Sequence, residues 1–234
     1  MNKLNKLNKF IAFTLAETLI VMGIIGVVAA LTLPNLNSST GDKEKVTKVK
    51  KIYSNLNDAF GRAIAVYGPY NEWCLGYYCM QRKFDRISEF LKTTKVCNVS
   101  DSCSFSMAQS GKTGSYGSYF RTGTYSPGAI LADGTVIVFP DNDSIRIDID
   151  GVNKGPNIAG KDVFQFGLST NGIVVINYTN SAKYVTKNSD NYNVEEATSW
   201  VINFGNMDYL KTSDGTTCPD GKTKLTFGGN TSCK

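Results

Sequence analysis

The sequence predicts an α+β chain: a long N-terminal helix, membrane-spanning in its first half and amphipathic in its second, packed on an antiparallel β-sheet with disulfide-stapled loops. Three observations predict it. An apolar run fills Phe13–Leu33, apolar residues recur at three- and four-residue steps from Val46 to Tyr67, and from Ala129 the pattern changes to period two. The chain is 234 residues long and 41% hydrophobic, enough for one globular domain with an attached segment. Only 19% of residues are charged, and six cysteines accompany plentiful Gly, Asn, Ser and Thr. That composition suits an extracytoplasmic, turn-rich β domain in an oxidising compartment.

The elements follow in order. Residues 1–12, MNKLNKLNKFIA, form a short polar leader carrying Lys3, Lys6 and Lys9. These three lysines account for most of the net charge of +5, leaving +2 for the rest. The charge therefore marks a basic tip, and no specific nucleic-acid partner is predicted. Residues 13–34 are the transmembrane segment: at 1.5 Å per residue, 21 residues cover the roughly 30 Å hydrocarbon core of a bilayer. Lysines before the span and none within it place the N-terminus in the cytoplasm and the remainder outside. Pro34 ends or kinks the helix, because it lacks an N–H and clashes with the preceding turn.

Helical periodicity resumes within 35–67, where Val46, Val49, Tyr53, Leu56, Phe60, Ala63, Ile64 and Tyr67 share a face until Gly68-Pro69 stops it. Residues 68–234 form the extracytoplasmic domain. Residues 70–128 read as irregular, with one short helix at Phe84–Leu91. Two tight turns, Asp133-Gly134 and Asn171-Gly172, join period-two segments into a meander of about four strands. In Ser144–Asp150, Ile145, Ile147 and Ile149 alternate with Arg146, Asp148 and Asp150, predicting one buried and one wet face. A helical turn near Glu195–Ile202 and a short strand at Lys224–Phe227 complete the reading.

Cys74, Cys79, Cys97, Cys103, Cys218 and Cys233 permit about 15 pairings. Short loops close most readily, which favours Cys74–Cys79, Cys97–Cys103 and Cys218–Cys233. With no His and no Cys-x-x-Cys spacing, zinc is not expected. The absence of His also excludes Ser-His-Asp and Cys-His catalysis, and nothing singles out a carboxylate pair, so no catalytic residue is expected.

The most informative stretch is Ala12-Phe13-Thr14-Leu15-Ala16-Glu17: a small residue, then Phe, then an acid four residues later inside an otherwise uncharged span. A carboxylate there is expensive, about 2.5 to 3.5 kcal/mol near the centre of a span and less at its edge. Cleavage before Phe13 would create an α-amino group that Glu17 of a neighbouring subunit could neutralise, fixing axial register. The plain alternatives are a secretory signal, whose mature chain would begin near Leu31, or a simple anchor.

This segment, with Gly23, Gly26 and Pro34, resembles the N-terminal signal of type IV prepilins and type II secretion pseudopilins. Ala12 stands where that family normally has Gly. The resemblance implies cleavage after Ala12 by a prepilin peptidase, N-methylation of Phe13, a register role for Glu17 and a helix kink at Pro34. It also implies partners: other pilin subunits, the bilayer, an inner-membrane platform and an assembly ATPase. The precursor would be a single-pass inner-membrane protein whose mature form joins an extracytoplasmic filament. The competing expectation is an anchored binding module or adhesin that never polymerises.

More loosely, Asp148–Phe166 resembles stretches of pseudopilin-like sheet domains, some of which bind calcium. Asp148, Asp150, Asn153 and Asp162 are the candidate ligands beside Gly151, with solvated turn residues as the alternative. The bidentate Glu of an EF-hand is missing. No other cofactor is expected.

Overall fold

A computed structural model describes residues 15–74, 79–99, 126–141, 143–151, 154, 157–175, 184–188 and 191–233, the side chains of 29–40 excepted. The chain divides into two compact units, 1–41 and 42–234.

Helix α1 spans Leu15–Tyr67 and Pro34 falls within it. In the first unit, Leu15, Leu19, Ile20, Val21, Met22, Ile24, Ile25, Val27 and Val28 are all between 53% and 82% exposed. At 100° per residue these positions encircle the helix, so no single face is apolar. Among the described residues no helix is long and apolar enough to cross a membrane.

In the second unit α1 is one-sided. Val46, Val49, Ile52, Leu56, Ala59, Phe60 and Ala63 are buried, while Lys51, Asp58 and Arg62 face solvent. The stripe differs from the sequence reading at its margins. Ile52 and Ala59 belong to it, Tyr53 and Ile64 are only partly buried beside it, and Tyr67 is exposed. Tyr53 still contributes, stacking on Phe166 with ring centroids 5.3 Å apart.

The stripe packs into one core with the face of a six-stranded antiparallel sheet. Its strands are β1 (Thr93–Cys97), β2 (Gly128–Leu131), β3 (Val136–Val138), β4 (Ser144–Asp148), β5 (Val163–Ser169) and β6 (Gly172–Val174), neighbouring one another in chain order. Register places Ile137, Ile147 and Phe164 in one cross-strand row and Ile145 opposite Phe166. Strand β1 lies in the stretch expected to be irregular, and the short helix expected at Phe84–Leu91 is found as α2 (Cys79–Ser88). Helix α2 also starts earlier than the expected Phe84.

A two-stranded ribbon, β7 (Lys187–Asn188) with β8 (Asn191–Tyr192), leads into α3 (Val194–Phe204). The Asn193 side chain accepts from the N–H groups of Glu195 and Glu196, capping α3, and Gly205 ends it in a left-handed conformation. Thr198 Oγ1 accepts the Gln165 N–H at 3.0 Å, so α3 satisfies a stretch of β5 that β6 is too short to reach. The expected strand at 224–227 is reduced to isolated bridges, Thr217 with Lys224 and Leu225 with Asn230.

Two disulfides join Cys74 to Cys79 and Cys218 to Cys233. Cys97 is buried and disulfide-bonded, and Cys103 lies outside the described residues.

Candidate functional site

Two regions were singled out by sequence: the N-terminal segment and the turn following β4. Ala12 and Phe13 lie outside the described residues. Glu17 sits in the first turn of α1, where the positive end of the helix dipole favours an acid.

The turn after β4 is built from the strand upward. Register sets Asp148 directly opposite Val136 on β3 and Val163 on β5. The expected wet face is therefore not wet: Asp148 is 0% exposed and Arg146 is also buried. Val136, Val138 and Val163 form a second small core with Cys97, Ala159 and Val194, and this cluster covers that side of the sheet. Its polar members are held by hydrogen bonds: Arg146 Nε donates to Gln165 Oε1 at 2.6 Å, and Gln165 Nε2 to Glu195 Oε1 at 2.8 Å.

Asp148 Oδ1 accepts from the backbone N–H groups of Asp150 and Gly151, at 3.1 and 3.2 Å. Its Oδ2 accepts from Asn157 Nδ2 at 3.2 Å. Gly151 is required here, since its φ is 97° and a Cβ would come within 3.0 Å of the Gly134 carbonyl in the β2–β3 turn. Burial and the adjacent Asp150 carboxylate push the Asp148 carboxyl up to about 7. Two buried acceptors in this turn, Asp150 Oδ1 and Asn157 Oδ1, have no partner. An unmet buried acceptor costs about 1–3 kcal/mol, so the turn is short of a proton donor or a cation.

Asn153 lies outside the described residues. Asp162 does not join Asp148 and Asp150 through its side chain: its Oδ1 meets Lys45 Nζ on α1 at 2.5 Å. Its backbone carbonyl accepts from Ile149 N–H at 3.0 Å, closing the base of the loop. Among the described residues no three acidic or cysteine side chains form a metal-binding group. The oxygens brought together are two carboxylates and one amide, and the amide belongs to Asn157, which sequence reasoning passed over. These donors fall short of the roughly six to eight oxygens that a calcium ion takes, and the Asn157 amide presents its nitrogen to Asp148.

An open groove of about 490 Å³ runs between α1 and the β2–β3 turn, lined by Lys51, Asp58, Arg62, Phe90, Leu91 and Lys92 among others. Lys51 pairs with Asp133 and Arg62 with Asp58, so its charges are largely met within the chain.

Comparison with family models, with curated proteins and with solved structures finds no match to this chain.

Proposed function

We propose that the chain is a structural, non-enzymatic subunit of a type IV pilus or a type II secretion-type filament, processed by a prepilin peptidase after Ala12. The observation that carries this reading is the ring of nine exposed, large apolar side chains between Leu15 and Val28. A helix docking on one protein surface needs one apolar face. A helix apolar all round needs apolar surroundings on every side, which lipid supplies before assembly and neighbouring helices supply afterwards. The basic leader, the Phe13 junction and the early acid Glu17 complete the pattern of the resembling signal.

In this reading the precursor sits in the inner membrane with its lysine-bearing tip in the cytoplasm. The peptidase exposes Phe13, which is methylated. An assembly ATPase acting through a membrane platform extracts the subunit, and helix–helix packing replaces lipid contact. Glu17 meets the Phe13 amine of a neighbouring copy and sets the axial step. The cysteine-bonded sheet unit is displayed on the outside.

Mass spectrometry of the protein purified from its native cells tests this. The expected N-terminal peptide begins at a methylated Phe13. An intact Met1 in cells with an active processing peptidase, or a start near Leu31, overturns the proposal in favour of an anchored binding module or a secreted protein.

A further inference from the structure

We propose that a lysine face on the second unit, presented by Lys43, Lys161 and Lys211, docks on anionic phosphate headgroups of the membrane that holds the apolar segment. The docking rests on the membrane-inserted precursor proposed above and adds to it a contact made by the folded unit itself.

Three elements bring the face together: the start of α1 in the second unit, the turn at 158–162 and the short 3-10 helix Asp208–Lys211. Two contacts pin them to one another. Lys45 Nζ meets Asp162 Oδ1 at 2.5 Å, joining α1 to the turn. The buried Tyr209 hydroxyl donates to the Gly160 carbonyl at 2.5 Å, joining the 3-10 helix to the same turn. Within this arrangement the charges are sorted by depth. Asp162 and Asp208 are 5% and 8% exposed, and Asp208 also accepts the Cys233 N–H at 2.7 Å. Asp42 lies among them: burial raises its carboxyl pKa, and Lys45, Lys211 and Lys161 oppose the rise. Lys43, Lys161 and Lys211 are exposed, and among the described residues neither Lys43 nor Lys161 enters an ion pair. Lys211 reaches Asp208 at 2.6 Å while its side chain stays 46% exposed. The exposed acid beside Lys43, Glu44, has Lys48 at 3.9 Å. The other acids are enclosed, and cations are left at the surface.

Chain connectivity selects the occupant. Eight residues, 34–41, separate the apolar run ending at Leu33 from Asp42, and eight residues extend at most about 30 Å. A tether of that length holds the face at about millimolar effective concentration against the bilayer that receives the run. Lysine suits a headgroup layer, because its ammonium is a compact, hydrated point charge that needs no fixed geometry to attract phosphate. A pocket for one small anion would instead enclose its donors, and these three side chains are at the surface. Each lysine near an anionic surface shifts the docked equilibrium about fivefold, so three act together by about a hundredfold.

The test uses the full chain in nanodiscs of phosphatidylcholine, alone or mixed with phosphatidylglycerol, with lysine acylation read by mass spectrometry. Lys43, Lys161 and Lys211 are expected to be protected in the anionic discs and not in the neutral ones, and raised salt is expected to remove the protection. Lys92, which lines the groove with Arg62, is the internal control and should react equally in both. Lys43→Gln combined with Lys161→Gln changes two exposed positions outside any described ion pair, so Tm should be unchanged. The same pair of changes should lower the protection of Lys211 at least about tenfold. Equal labelling of the three lysines in both kinds of disc overturns the proposal, as does protection that survives the double substitution or extends to Lys92. Protection in neutral discs by inorganic phosphate or duplex DNA, as strong as that by anionic lipid, overturns it in favour of a free-anion or nucleic-acid site. A chain that enters neither kind of disc overturns the membrane reading itself, and the docking falls with it. In a chain that enters both, a failure belongs to the docking alone.

Discussion

Asn193 precedes α3 and satisfies two N–H groups of its first turn, at 3.1 and 3.0 Å. Alanine offers them nothing, so Asn193→Ala is expected to lower stability by about 1 kcal/mol. Urea unfolding of the two proteins, compared at equal slope, checks this, and an unchanged midpoint would mean water replaces the cap. The sequence reading placed a helical turn near Glu195–Ile202, and the cap at Asn193 emerges only with the structure. The environment of Asp148 was not legible either. Alternation in Ser144–Asp150 tells which residues share a face, but not whether a second layer covers the polar one. That layer includes Ala159 and Val194, which lie 11 and 46 residues further along the chain. Asn157 was missed for a related reason: its importance lies in an oxygen left without a partner, and spacing carries no trace of that.

At the scale of the element, the second half of α1 carries the core. Leu56 lies at the middle of the buried stripe and is fully enclosed, so Leu56→Ala removes apolar contacts and leaves a cavity. The expected loss is about 2–5 kcal/mol. Val66, in the last turn of the same helix, is 61% exposed, and Val66→Ala should stay within about 0.5 kcal/mol of wild type. Thermal unfolding of the pair tests the one-sidedness of the helix, and similar losses at both positions would contradict it. The stripe could be read from three- and four-residue spacing, and the central strands from alternation bounded by Asp-Gly and Asn-Gly turns. Strand β1 could not. Its residues Thr93, Thr94, Lys95, Val96 and Cys97 are mostly exposed and hold no buried alternation. It is a strand because β2 pairs with it, Val96 opposite Ala129 and Cys97 opposite Gly128, and pairing is invisible in a local pattern.

At the scale of the whole molecule, the two units make opposite demands on their surroundings. Among the described residues of 42–234 most large apolar side chains are buried in that unit's own core, whereas residues 15–28 of the other unit present theirs outward. An anchored binding module and a filament subunit both meet that contrast with a membrane, and they part at Glu17. An anchor gains nothing from an acid near its cytoplasmic edge, and Glu17→Ala should insert it at least as readily. A filament subunit uses the acid to meet a neighbour's amine, so the same change should abolish recovery of sheared filaments while cleavage before Phe13 continues. The helix itself is not at risk. An acid in the first turn contributes about 0.3–1 kcal/mol through the dipole, while alanine is the better helix former, so circular dichroism should be unchanged. Immunoblots of the sheared-filament and membrane fractions, paired with the mass of the mature N-terminus, separate the outcomes. Processed Glu17→Ala protein confined to the membrane supports polymerisation, and processed protein that still appears in filaments at wild-type levels removes the register role from Glu17.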